Sequence, residues 1–212
     1  MENVFDVYQR LYDQEYPQVC LGEISKTLHS TPRGALPIEP GKPKREDYEY
    51  KRHGQCALFL AVEPLQGFRR VWVNPRRTKL DFAQVLKELV DEVYPDAKKV
   101  VLVTDNLNIH HATCLYERFP PAEARRIAAK IEWHYTPEHA SWLNIAECEL
   151  SVLRRQCLKS RIADIETVIA NVNTWQEQRS ETQIGIDWRF TTEDTRIKLK
   201  RLYPIVNVQQ ST

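Results

Sequence analysis

Two acids in this chain stand where a carboxylate can be held rigidly and still meet solvent. Asp105 follows the apolar run Val100, Val101, Leu102 and Val103 in the segment VVLVTDNLNIH, so it sits where a buried strand leaves the core. Ligands of open α/β sheets collect at that edge. Glu147 lies in YTPEHASWLNIAECEL, where Pro137 and the polar turn 138–141 lead into a helix, and it falls on the first or second turn, three residues after Asn144. Two carboxylates fixed on rigid elements suit a divalent cation that prefers hard oxygen ligands. Taken alone, Asp105 and Asn106 would also fit an Asx turn closing a strand. Glu149 lies about 200° around the helix from Glu147 and is not expected to share an ion with it.

The elements that must position these acids follow from periodicity. Residues 2–12 carry Val4, Val7, Tyr8 and Leu11 at helical spacing. Strands are expected at 18–24, 55–62, 68–73 and 98–104, with a fifth at Ile131–Tyr135. Helices are expected at 81–93, 112–119, 122–130, 142–158 and 165–179, in the element order of a ribonuclease H-like fold. Residues 31–43 hold Pro32, Pro37, Pro40 and Pro43 and exclude regular structure; the segment is expected to be exposed.

TDNLNIH, HYTPEHASWLNIAECELSVLRRQCL and the tail IDWRFTTEDTRIKLKRLYP, in that order, resemble the catalytic domain of the mariner-related insertion-sequence transposases of bacteria. The similarity runs over about residues 12–204. It implies an α/β fold, a ribonuclease H-like mixed five-stranded sheet flanked by helices, and a DDE-type triad of acids that binds two Mg²⁺ (or Mn²⁺) ions to cut and join DNA. Asp105 matches the second acid and Glu147 the third. The first acid belongs to an apolar-apolar-Asp-Glu motif, and the matching segment here is Val19-Cys20-Leu21-Gly22-Glu23, with Gly22 at the Asp position. Glycine offers no ligand. Glu23 should aim at the opposite face of the strand unless a bulge at Gly22 rotates it.

The resemblance therefore implies DNA transposition, with metal-dependent cleavage and strand transfer at transposon ends, by a chain whose third metal position is vacant and which cuts DNA hardly at all. The alternative is a non-catalytic DNA-binding or oligomerising relic. The implied partners are DNA, both terminal inverted repeats and target, a second copy in a homodimer on DNA, and a separately encoded helix-turn-helix half. On this reading, residues 1–212 are a single catalytic domain in the bacterial cytoplasm, associated with the nucleoid. The helix-turn-helix module is absent from it. Its Pro-rich insertion at about 30–50 is either a clamp on the partner subunit or an exposed loop.

Composition narrows the rest. With 30 Lys+Arg against 29 Asp+Glu, the net charge is only +1, so a DNA-binding surface must be local. Arg69, Arg70, Arg76, Arg77 and Lys79 form one basic run, and Arg154, Arg155, Lys159 and Arg161 another; each is a solvated face or a set of phosphate contacts. Asn106, His110 and Asn144 are candidates to hydrogen-bond behind the metal ligands. His110 could instead hold a phosphate, a water or backbone. His134 and His139 lack zinc-ligand spacing, and Trp142 is expected in the core. Five cysteines without a CxxC pair read as reduced thiols filling core space, and no segment is apolar and long enough to span a bilayer.

Overall fold

Apolar runs too short for helices and rich in β-branched residues assemble into one mixed sheet. The computed structural model describes all residues except 33–39, 42–47, 108, 139, 183–184, 187, 199, 201–202 and 204–212. In chain order the elements are α1 (Glu2–Tyr8), β1 (Gln18–Ser30), β2 (Lys51–Glu63), β3 (Phe68–Asn74), α2 (Lys79–Glu88), β4 (Val100–Thr104), α3 (Thr113–Arg118), α4 (Pro121–Ala129), β5 (Ile131–Tyr135), α5 (Ile145–Gln156), α6 (Ile165–Glu181) and α7 (Thr192–Lys198). The sheet order is β3-β2-β1-β4-β5. β1, β2 and β3 pair antiparallel, whereas β4 and β5 run parallel to β1. This is the ribonuclease H-like, five-stranded mixed sheet flanked by helices expected from the sequence.

Side-chain alternation divides the core in two. Cys20, Leu58, Leu60, Val62, Val71, Val101 and Val103 face a layer that includes α1, α5 and α6. Val19, Leu21, Phe59, Ala61, Val100 and Leu102 face α2, α3 and α4. All five residues of β4 are buried, as a strand covered on both faces requires.

Several boundaries differ from expectation for identifiable reasons. β1 and β2 run on past 24 and begin before 55 as a paired arm of polar residues, because ladder hydrogen bonds come from the backbone and leave polar side chains to solvent. Their register shifts between Leu28 and His29, opposite Gly54, whose φ of 102° lies in the left-handed region only glycine adopts readily. The arm is moored to the connection after α5. Lys26 Nζ donates to the carbonyls of Leu158 and Ser160, His29 N to Ile162 O, and Arg161 to Thr31 and Glu49.

The expected 81–93 helix divides into α2, capped reciprocally by Thr78 and Asp81, and a π-helical turn at Leu89–Val93. The expected 142–158 helix begins as a 3-10 turn, Ser141–Leu143, which leaves Trp142 44% exposed and not in the core. Cys148 is also exposed, so it fills no core space; all five thiols are free. Of the Pro-rich segment, Pro40 and Gly41 are exposed, while 33–39 and 42–47 lie outside the described residues. Among the described residues, no helix is long and apolar enough to cross a membrane.

Candidate active site

Strand register brings the three expected positions to one edge. Leu21 pairs with Thr104 in the parallel β1–β4 ladder, so Gly22 and Asp105 are level on neighbouring strands. Gly22 is in regular register with Leu60, and the bulge that could have rotated Glu23 lies elsewhere, at Leu28/His29. A Cβ placed on Gly22 would project at α5, 3.1 Å from Ala146 Cβ, 3.1 Å from Leu150 Cδ1 and 3.5 Å from Glu147 Oε1. A short acidic side chain here would therefore point at the Glu147 carboxylate.

Glu147 is on the first turn of α5, and Asn144 fixes that turn. The Asn144 side chain accepts a hydrogen bond from Ala146 N at 3.0 Å and donates to Leu21 O at 2.8 Å. Asn144 is fully buried and caps the helix while strapping it to β1, a different task from bonding behind a metal ligand. Burial raises the pKa of Glu147, and the nearby charges of Asp105 and Glu23 raise it further.

Glu23 points to the other face, as alternation demands, and finds His110. Its Oε2 lies 2.5 Å from His110 Nε2, while His110 Nδ1 bonds the Asp105 carboxylate. The Glu23 side chain is 2% exposed, and its second oxygen has no hydrogen-bond partner among the described residues, with Arg77 Nη1 3.6 Å away. The imidazole packs on Phe82 with ring centroids 4.4 Å apart. Burial works against a charged ring, but the hydrogen bonds that its N–H groups donate to Asp105 and Glu23 outweigh it and bring the His110 pKa to about 9. His110 is thus an imidazolium shared by two acids. Because its folded pKa lies above the ordinary 6.5, the stabilisation is complete below pH 6.5 and is lost as pH rises through about 9. In chelator-treated buffer, urea stability should fall across that window by more than it does in His110→Asn; parallel profiles would contradict the pairing.

A family model for DDE superfamily endonuclease matches residues 17–169. The chain belongs to this family. Among solved structures, this chain is similar to a Mos1 mariner paired end complex with Mn at 16% identity and TM-score 0.54, covering 86% of this chain and 56% of that one. A Mos1 strand transfer complex matches at 14% identity and TM-score 0.48, with the same coverages. The first likeness shows the shared fold. The chain spans a little over half the length of those Mos1 chains. No curated protein matches it in sequence.

The donors present do not fit the two-ion site that the family's acid triad implies. Two ions about 3.5–4 Å apart need ligands that clamp both. Gly22 supplies none, Asp105 already hydrogen-bonds His110, and among the described residues no group of three His, Cys, Asp or Glu side chains is placed to hold a metal. Asp105 and Asn106 instead line a cleft of about 310 Å³ with Leu107, Thr136, Pro137 and Glu138.

The basic run on β3 separates by strand parity. Arg69 shares with Val71 the face covered by α6 and is buried, its Nε 2.9 Å from Glu149 Oε2, so it is not available to a phosphate. Arg70 lies on the opposite face with its guanidinium over Trp72. Arg76, Arg77 and Lys79 are exposed, with Lys79 paired to Glu117 at 3.2 Å. Arg154 and Arg155 are exposed on the last turn of α5. His134 is held by Asn3 and Glu132, whereas His139 lies outside the described residues. The Glu23–His110 link escaped sequence reasoning because it joins residues 87 positions apart. The only signal for it was that Glu23 had to face away from Gly22.

Proposed function

We propose that this chain is the catalytic portion of a DNA transposase whose cutting chemistry is disabled at one position. The observation that carries this reading is the convergence of Gly22, Asp105 and Glu147, with the Gly22 Cβ direction ending 3.5 Å from Glu147 Oε1. An acid there would complete a set of three carboxylates on two strands and a helix. The substrates on this reading are transposon ends and target DNA, Mg²⁺ or Mn²⁺ is the metal that the set completed by an acid at position 22 would hold, and a homodimer on DNA in the bacterial cytoplasm is the working form. Sequence recognition would come from a helix-turn-helix half encoded separately. Strand cleavage of a transposon-end duplex, compared between this chain and Gly22→Asp, tests the reading.

A second reading, a DNA-binding relic without chemistry, is favoured by Gly22 itself. Both readings place phosphate contacts on Arg76, Arg77, Arg154 and Arg155. Each contact neutralised should remove about 0.9 from the slope of log K against log salt on duplex DNA, so Arg154→Gln with Arg155→Gln should flatten it by about 1.8. An unchanged slope would take α5 out of the interface.

A further inference from the structure

The opposite end of the central strands carries a second polar cavity. Glu63 is the last residue of β2, beyond Val62, which pairs with Cys20, and thus lies at the end of the sheet away from Asp105. It is 5% exposed and lines a cavity of about 300 Å³ together with Tyr12, Phe68, Tyr94 and Ser180. Tyr94 OH donates to Glu63 Oε2 at 2.9 Å, and the Phe68 and Tyr94 rings meet edge to face at 6.3 Å. A buried carboxylate ordinarily has a cation beside it. Glu63 has none among the described residues, and burial accordingly pushes its pKa up.

We propose that this cavity binds a guanidinium group, with Glu63 as its counter-ion and Tyr12, Phe68 and Tyr94 as its aromatic walls. A planar cation with a fork of N–H donors suits a carboxylate that already accepts one hydrogen bond along one lone pair. The same cation gains from ring faces within about 6 Å. The volume exceeds that of guanidinium alone and accommodates an arginine side chain, either of free arginine or of a peptide. A neutral ureido group of the same shape lacks the charge that Glu63 demands.

Calorimetric titration of the full chain with N-acetyl-arginine amide, free arginine and N-acetyl-citrulline amide tests this. Saturable binding of the arginine compounds is expected, with the citrulline compound weaker by about tenfold or more, the usual worth of a charge-assisted contact. Glu63→Gln keeps an acceptor for Tyr94 and should abolish that preference, with the circular dichroism spectrum unchanged. Binding of the blocked compound assigns the site to an arginine displayed on a peptide, and binding of free arginine alone assigns it to the amino acid. Absence of arginine binding, equal binding of the citrulline compound, or a preference that survives Glu63→Gln overturns the proposal.

Discussion

Gly22→Asp, joined to a DNA-recognition module, is expected to cut a transposon-end duplex roughly a thousandfold faster than the natural chain, several kcal/mol of barrier being the usual worth of a complete metal site. The substitution adds a carboxylate to Asp105 and Glu147 and aims it at Glu147. It also has a steric and electrostatic cost. Its Cβ would sit 3.1 Å from Ala146 Cβ and from Leu150 Cδ1, so the leucine and the turn of α5 that carries Ala146 must shift by a few tenths of an ångström, and the new charge lies beside a carboxylate already raised in pKa by its neighbours. Without metal the variant should therefore lose about 1 kcal/mol, or about 2–4 °C in Tm, and Mn²⁺ should restore it. Gly22→Ala fills the same space without a ligand, so it should show the loss and neither the rescue nor the cleavage. If the natural chain cuts as fast as Gly22→Asp, another acid completes the site, and Glu23 would have to leave His110 to do so.

Glu149→Ala should be the most damaging single change outside that edge, at about 3–5 kcal/mol, because it strands buried positive charge. Glu149 receives Arg69 Nε at 2.9 Å and Arg179 Nη2 at 2.9 Å, and the Arg69 side chain is wholly excluded from solvent. Burial raises the Glu149 pKa, but Arg69 and Arg179 overcome this and hold it below the ordinary carboxylate value. The effect is read from urea unfolding of the isolated chain. A loss under about 1 kcal/mol would mean that water reaches Arg69 and that the cluster is not buried as described.

The parts of this architecture that announced themselves were those whose side chains carry the energy. β4 is a continuous apolar stretch because helices cover both faces, β5 alternates Ile131, Trp133 and Tyr135 with Glu132 and His134, and the limits of both were readable to within two residues. The arm formed by the outer halves of β1 and β2 was not readable, since Lys26, Thr27, Lys51, Arg52 and Gly54 bring backbone and no buried apolar side chain to the pairing. Arg69 was grouped with its basic neighbours, yet alternation with Val71 already placed it inward; charge was weighed where parity should have decided. Trp142 misled in the opposite sense, because a tryptophan next to Leu143 invites a core assignment that a 3-10 turn does not permit. The vacancy at Gly22 was visible from the motif alone, whereas the imidazolium tying Glu23 to Asp105 depends on tertiary placement.

The mooring of the β1–β2 arm has a mechanical consequence. Residues 25–30 of β1 reach roughly 20 Å past the sheet edge at about 3.3 Å per residue, a stiff ribbon long enough to act as a lever. Were it fixed only through β1, a pull at its tip would twist that strand beneath α5 and move Gly22 relative to Glu147. Lys26, His29 and Arg161 instead lash the ribbon to the chain just beyond α5, so torque divides between the two elements that flank the acidic edge. Strand and helix then turn together as one body, and the yielding point is the irregular pairing near Gly54, well away from the carboxylates.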